Sequence, residues 1–278
     1  MEIKTLFKDY TLQLKNLYPE AEAENLVHWL FEHFLGLNRA DLHRGKNIDP
    51  VPPALEQAQQ KLSQGMPIQY ILQSAPFYGR DFFVNAAVLI PRNETEELVH
   101  LIIKENKGAG LRILDIGTGS GCIPVTLGLE MNAPSLWAVD ISAAALEVAR
   151  INAESFGVQI AFAQSDILFE ALPFNRLDIL VSNPPYIPES DKAGMHRNVL
   201  DHEPHLALFV PEEDPLLFYR HIAEKGKIAL NPGGKLYFEI HERLGRQVTD
   251  LLASLNYQKI RMIKDLNDRE RIVGAEKP

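Results

Sequence analysis

The chain has 278 residues, of which 46% are hydrophobic and 23% charged, and 28 Lys and Arg against 37 Asp and Glu leave a formal net charge of −9. Length predicts one or two globular domains at roughly 150 residues each, and this balance of residue types excludes a disordered chain, a collagen-like repeat and a coiled-coil rod. The acidic balance gives no general attraction to phosphate backbones, so a direct nucleic-acid substrate is not expected, although net charge does not say how Lys and Arg are distributed. No apolar run approaches the roughly 18 residues of a membrane span, and Glu2, Lys4, Lys8 and Asp9 stand where a signal peptide would be apolar, so a cytoplasmic protein without membrane contact is expected. The single Cys122 can neither form an internal disulfide nor build a zinc site alone, and no metal is expected.

The first third reads as helices. Ile3, Leu6, Phe7, Tyr10, Leu14 and Leu17 repeat at three and four and form one stripe, which Pro19 ends. Pro19 suits the first turn of a second helix, whose apolar face is Leu26, Val27, Leu30, Phe31, Phe34 and Leu35 and whose stop is Gly36. Asn38 predicts a capped turn or two ending near Gly45, and Pro52-Pro53 opens a helix to Gly65, completing a small bundle. Between Ala75 and Pro91 the aromatic and β-branched residues Phe77, Tyr78, Phe82, Phe83, Val84 and Val88 surround Gly79 and predict a β-hairpin linker. Strand-like and helix-like stretches then alternate: helix 94–105, strand 112–115, helix 122–130, strand 135–139, helix 142–156, strand 158–162 and strand 177–182. Such alternation predicts a parallel sheet covered by helices. A helix near 215–230, a strand at 235–240, a helix near 243–255 and an antiparallel pair at 259–263 and 271–275 close the chain.

Chemistry is concentrated after the parallel strands. Asp115-Ile116-Gly117-Thr118-Gly119-Ser120-Gly121 follows the first of them and opens a helix, so its glycines permit a sharp turn and close approach of a ligand. Asp140 lies 19 residues beyond Gly121, close to the spacing at which a carboxylate takes the ribose hydroxyls of a nucleoside. The glycines fall as G-x-G-x-G rather than the dinucleotide pattern G-x-G-x-x-G, and Asp115 would repel a pyrophosphate but attract a cationic amino-acid group. S-adenosyl-L-methionine is therefore the favoured cofactor, held by Asp115, Gly117, Thr118, Gly119, Ser120, Gly121 and Asp140. Asp166 is placed to meet the exocyclic amine of its adenine, with Ile167 beside the ring.

Asn183-Pro184-Pro185-Tyr186 at the end of strand 177–182 is the strongest signal. Two prolines remove two backbone donors and fix φ, which leaves carbonyls free to accept. The Asn183 side-chain oxygen and the Pro184 carbonyl can both accept from one planar NH₂ and turn its lone pair toward an electrophilic methyl. They also stabilise the positive charge that grows on nitrogen during transfer, so no general base is required. Tyr186 is expected to supply a flat wall, giving Asn183, Pro184 and Tyr186 as catalytic residues, Asn183 through Tyr186 as substrate contacts, and Asn183 as a cofactor neighbour too.

Taken together, these motifs resemble class I S-adenosylmethionine-dependent N-methyltransferases. Phe77-Tyr78-Gly79-Arg80, the stretch Leu89 through Glu96, and Glu203-Pro204 with Ala207-Leu208 are similar to the peptide chain release factor glutamine N5-methyltransferases across nearly the whole chain. The resemblance implies an α/β fold: a Rossmann-like, seven-stranded methyltransferase domain at 93–278, preceded by a helical bundle at 1–74 that recognises substrate and a β-hairpin linker at 75–92. It implies methylation of the glutamine of the Gly-Gly-Gln loop of release factors, cofactor contacts at Gly117 to Gly121, Asp140, Ile167 and Asn183, and substrate contacts at Asn183 to Tyr186. A monomer is expected. The alternatives are a nucleic-acid methyltransferase acting on adenine N6 or guanine N2 and a non-catalytic cofactor-binding module. Asn93 replaces a proline usual in the linker, and His241 stands where glycine is common.

Other residues carry less. His202-Glu203-Pro204-His205 predicts an exposed loop rather than a metal site. Cys122 predicts a packed side chain outside catalysis, and Glu94, Glu96 and Glu97 are explained by the positive end of a helix. Arg92 and Thr95 are weaker candidates for lining the cofactor cleft.

Overall fold

The computed structural model describes residues 1–44 and 47–278, arranged as two compact units: Met1–Ser74 with His196–His202, and Ala75–Met195 with Glu203–Pro278.

In the first unit, α1 (Ile3–Leu14), α2 (Glu20–Leu35), α3 (Pro53–Ser63) and the short α4 (Ile68–Leu72) bury Leu6, Leu14, Val27, Phe31, Leu55 and Leu62 in one core. Each such side chain contributes about 1.5–3 kcal/mol when fully buried. Pro19 precedes α2, and Gly36 ends it at φ +63°, its N–H bonding back to the carbonyls of Glu32 and Phe31. Helix α1 stops at Leu14, one turn before the predicted Leu17, because residues 15–17 turn toward Pro19. The Asn38 side-chain oxygen accepts from the amides of Ala40 (2.9 Å) and Asp41 (3.2 Å), and a single 3₁₀ turn follows at Asp41–His43. Its predicted end at Gly45 lies outside the described residues. Helix α4 is not foreseen by the sequence pattern, since five residues are too short to show a period.

The hairpin β1 (Ser74–Phe77) and β2 (Arg80–Phe83), which from Ala75 on belongs to the second unit, is turned by Tyr78 at φ +50° and Gly79 at φ +73°. Next come α5 (Asn93–Glu105), β3 (Arg112–Ile116), α6 (Cys122–Glu130), β4 (Ser135–Asp140), α7 (Ala143–Ser155), β5 (Ile160–Gln164) and β6 (Leu177–Ser182). A two-residue strand β7 (Ile187–Pro188) pairs in parallel with β8 (Phe209–Val210). Between them α8 (Arg197–His202) belongs to the first unit, where His196 stacks on Tyr18 at 5.8 Å. The chain ends with α9 (Leu217–Ala229), β9 (Leu230–Glu239), α10 (Gly245–Ser254), β10 (Gln258–Lys264) and β11 (Glu270–Glu276).

Seven strands form one sheet in the order β10-β11-β9-β6-β3-β4-β5, parallel except for β11, which runs antiparallel to both β9 and β10. Alternate residues feed opposite faces. Leu114, Leu180 and Phe238 join Tyr219, Ile222 and Val248 on one face, while Ile113, Val181 and Tyr237 join Leu98, Ile102 and Val125 on the other. Both faces are apolar because both are covered.

Two strands, β5 and β9, differ from the sequence reading by more than one residue. Val158 bonds back to the Ala153 carbonyl in the turn after α7, so β5 starts only at Ile160. Strand β9 begins five residues before Lys235 because Leu230 already pairs with Leu177, across a register shift that absorbs Asn231 to Gly234. The segment around Glu203 is also not simply exposed. Glu203 is 4% accessible and accepts from the Arg92 guanidinium at 2.7 Å and the Ile90 amide at 3.3 Å. Among the described residues no helix is long and apolar enough to cross a membrane.

Strand order positions the site. From β3 the chain winds outward through β4 to β5, then returns to β6 on the other flank of β3, which opens a crevice at the carboxyl ends of the strands. Ile116 is in register with Val139 and Ser182, Ser182 with Phe238, and Asp140 with Gln164. The next residues along each strand, Gly117, Asp140, Ser165, Asn183 and Glu239, therefore reach one edge.

Candidate functional site

A cavity occupies that edge. Its wall is made by Leu89 to Arg92 and Thr95, Ile116 to Ser120, Asp140 to Ser142, Ser165 to Leu168, Asn183 to Pro185, and Phe218 with Ile222 of α9. Of the sequence-derived site residues, Gly117, Thr118, Gly119, Ser120, Asp140, Asp166, Ile167, Asn183, Pro184 and Pro185 line it, while Asp115, Gly121 and Tyr186 do not.

The glycine loop is folded onto β4. The amides of Gly117 and Thr118 donate to the Val139 carbonyl at 2.9 and 3.1 Å, and the Gly119 amide donates to Asp140 Oδ2 at 2.9 Å. The Ser142 amide holds Asp140 Oδ1 at 2.9 Å, so each carboxylate oxygen keeps lone pairs for a ligand after its backbone bond is made. Burial raises the Asp140 pKa, and the two amides oppose that rise. Gly121 serves the packing of the loop instead. At φ +77°, its missing Cβ would lie 3.0 Å from the Ala149 Cβ, so glycine lets the loop close on α7. Asn152 of α7 fastens this region by donating to the carbonyls of Ser120 (2.8 Å) and Phe83 (2.9 Å) while accepting from the Phe83 amide (2.8 Å). Sequence reasoning missed Asn152, which has no motif around it.

Asp115 is fully buried, and the Thr118 hydroxyl beside it acts to lower the pKa of its carboxyl. Burial pushes its carboxyl up to about 7, with the Asp140 carboxylate adding to the rise. The Ser165 Oγ of the wall is buried without a partner among the described residues. Orphaned polar atoms of this kind are costly unless a ligand or water satisfies them. Asp166 Oδ1 accepts from the Leu168 amide at 2.9 Å, and the Lys225 ammonium donates to the carbonyls of Ile167 and Glu170, which ties this loop to α9. Ribose hydroxyls would meet the free lone pairs of Asp140 and an apolar ring the wall that includes Ile141 and Ile167, so the residues present fit S-adenosylmethionine.

The other end of the cavity is built from side chains. Ser182 Oγ donates to the Ile116 carbonyl at 2.7 Å and pins the end of β6 to β3. Beyond it, Asn183 Nδ2 donates to Thr95 Oγ1 at 3.2 Å, and Thr95 Oγ1 donates to Glu239 Oε2 at 2.6 Å. Tyr186 Oη donates to Glu239 Oε1 at 3.4 Å. Asn183 Oδ1 accepts no hydrogen bond from any described residue, and neither does the Pro184 carbonyl. Glu239 is 1% accessible, and its burial pushes the carboxyl up to about 7, against the hydrogen bond from Thr95 and the charge of Arg271. The Tyr186 ring stands edge-on to His241 at 5.8 Å and lines a second cavity with Ile187, Arg243, Arg269 and Arg271. The sequence reading gave Glu239 no role, and Thr95 only that of a possible wall residue.

The remaining candidates are structural. Cys122 is buried at the start of α6, and burial pushes its thiol up to about 12, too high for nucleophilic work. Glu96 and Glu97 do more than face a helix terminus: they accept from the amides of Tyr78 (2.8 Å) and Leu266 (3.2 Å). Among the described residues no group of three or more His, Cys, Asp or Glu could hold a metal ion.

Comparison with known proteins agrees with this architecture. Residues 94–204 match the family "Methyltransferase small domain", and residues 5–72 match "PrmC N-terminal domain". A methyltransferase of Pyrococcus furiosus superposes with a TM-score of 0.55 at 18% identity, covering 80% of this chain and 98% of that one. The 16S rRNA N2 G1207 methyltransferase of Thermus thermophilus, solved with AdoMet and guanosine, superposes at 0.53 with 17% identity over 74% of this chain and 50% of the other, and at such identities the likeness concerns the fold. Proteins named release factor glutamine methyltransferase are 44% identical in Bacteroides thetaiotaomicron, over 95% of this chain and 96% of the relative, and 40% identical in Flavobacterium psychrophilum, over 98% of each. With the glycine loop, Asp140 and the Asn-Pro-Pro-Tyr corner gathered at one sheet edge, and with identity of this extent along the whole chain, the protein belongs to the release factor glutamine methyltransferase family.

Proposed function

We propose that this chain methylates the side-chain amide nitrogen (N5) of the glutamine in the Gly-Gly-Gln loop of peptide chain release factors. S-adenosylmethionine, when bound, supplies an electrophilic methyl on a sulfonium. The chain's own residues bind, orient and polarise. Asp140 takes the ribose hydroxyls, the Ser165 hydroxyl finds a partner, and Asp166 with Ile167 borders the adenine. Asn183 Oδ1 and the Pro184 carbonyl accept from the glutamine NH₂, which holds the amide plane and presents the nitrogen in line with the methyl. An amide nitrogen is a poor nucleophile because its lone pair is delocalised, and acceptors on its two hydrogens favour the charge that builds as transfer proceeds. Pro185 stiffens the corner, and Tyr186 borders the substrate from the neighbouring cavity.

One observation carries this reading: Asn183 spends its NH₂ on Thr95, which leaves its oxygen and the adjacent carbonyl as two open acceptors beside the cofactor cavity. By the same reading the helical unit recognises the release factor, the enzyme acts as a cytoplasmic monomer, and nucleic acid is not its direct substrate. Mass spectrometry of a release factor incubated with the enzyme and S-adenosylmethionine checks it. One added methyl mass on the glutamine of the Gly-Gly-Gln loop is expected. An unmodified release factor beside a methylated nucleic acid in the same extract would overturn the reading.

A further inference from the structure

Asn183 can serve as an acceptor only if its amide is turned one way round. The two ends of an amide have nearly the same shape, so packing alone does not choose between them. Polarity has to come from a neighbour whose own hydrogen-bonding role is fixed.

Thr95 and Glu239 form such a neighbour. The Thr95 hydroxyl has one hydrogen and is 2.6 Å from Glu239 Oε2 and 3.2 Å from Asn183 Nδ2. In its ionised form, above about pH 7, Glu239 can only accept, so the hydroxyl hydrogen goes to Glu239 and the Thr95 oxygen is left to accept. Only the NH₂ of Asn183 can satisfy it, and Oδ1 is thereby turned away from Thr95. All three residues belong to the sheet edge: Thr95 lies in the first turn of α5, Glu239 ends β9, and Ser182, just before Asn183, is in register with Phe238, just before Glu239. Glu239 also accepts from Tyr186 Oη, so both ends of the Asn-Pro-Pro-Tyr corner are anchored to one buried carboxylate. Burial and the Glu94 carboxylate of α5 oppose its ionisation and bring the carboxyl up to about 7, whereas Arg271 of β11 and the hydrogen bonds from Thr95 and Tyr186 favour the ionised form.

We infer that Glu239, acting through the Thr95 hydroxyl, is a positioning residue that fixes the orientation of the Asn183 amide and so makes it an acceptor for the substrate nitrogen. Neither residue touches the reacting atoms. This rests on the function proposed above, and the controls separate the two.

The test is single-turnover methyl transfer to a release factor, with full-length enzyme and S-adenosylmethionine in excess, for wild type, Thr95→Val, Thr95→Ser and Thr95→Ala. Valine keeps the shape of threonine but offers the Asn183 NH₂ no acceptor, and a rate at least tenfold lower at saturating cofactor is expected. Serine restores the hydroxyl and should return the rate to within about threefold of wild type. Should the valine variant not fold, the alanine variant, which lacks the hydroxyl with less bulk, carries the same expectation. A folded valine or alanine variant with the wild-type rate would overturn the inference, as would a serine variant as slow as valine. Wild-type enzyme that leaves the release factor unmethylated would instead overturn the function on which the inference rests.

Discussion

The two ends of the cavity solve the same problem, ordering a ligand at the carboxyl edge of a parallel sheet, by different means. At the glycine loop the backbone does the ordering: amides of Gly117, Thr118 and Gly119 close on Val139 and Asp140. At the Asn-Pro-Pro-Tyr corner the ordering comes from a relay of side chains, Asn183 to Thr95 to Glu239 and back to Tyr186. The difference follows from what each end must hold. On the proposed function, a cofactor with many polar groups would be positioned by many weak contacts spread over a loop, whereas one nitrogen would be positioned by two acceptors whose direction cannot vary.

The contrast predicts that substitutions at the corner change rate and those at the loop change affinity. Asn183→Ala should slow single-turnover transfer about 10²–10³-fold, the cost of removing one preorganised transition-state group, while calorimetric cofactor binding stays near wild type. Loss of cofactor binding in that variant would break the distinction. Next in size, Asp140→Ala should weaken cofactor binding by about 10–100-fold, the loss of a charge-assisted hydrogen bond, with a nearly unchanged rate at saturation.

The loop itself can be divided. Gly121→Ala meets both a left-handed φ and contact with Ala149, whereas Gly117→Ala at φ +72° meets nothing within 4 Å. Urea denaturation should show Gly117→Ala costing about 1 kcal/mol and Gly121→Ala about 1–2 kcal/mol more. Equal losses would mean that closure of the loop on α7 is not tight.

The smallest effect concerns pH. Asp115 keeps its proton up to about 7 in the folded protein because burial disfavours the charge, while the unfolded chain releases it near the ordinary carboxylate value. A raised folded-state pKa gives stability that is fully present below the unfolded value and lost as pH rises through about 7. Without cofactor, the melting temperature of Asp115→Asn relative to wild type should therefore increase by a few degrees between about pH 5 and pH 8. A gap that stays constant would show that Asp115 titrates normally.

Most of the fold was legible because its signals are local. Helix α6 and strand β6 match the sequence reading to the residue, the first opened by Gly121 and the second closed by Asn183-Pro184. The early start of β9 was hidden because Asn231-Pro232-Gly233-Gly234 carries the composition of a turn, and only pairing with β6 recruits it to the sheet. Gly117, Gly119 and Asp140 could be read as neighbours because they lie within one strand-helix-strand unit, whereas Asp115 and Gly121, read with them, do not line the cavity. What could not be read was support from afar. Glu239 is 144 residues from Thr95, and Asn152 reaches 69 residues back to Phe83, so no spacing rule connects them. The burial of Glu203 against Arg92, 111 residues earlier, escaped for the same reason.

The most direct test of the two-acceptor account is a crystal structure of the enzyme with S-adenosylhomocysteine and a Gly-Gly-Gln peptide. The account predicts the glutamine nitrogen within about 3 Å of both Asn183 Oδ1 and the Pro184 carbonyl oxygen, with the Asn183 NH₂ still on Thr95. A glutamine whose nitrogen is held by other groups, or which accepts a hydrogen bond from Asn183, would contradict it.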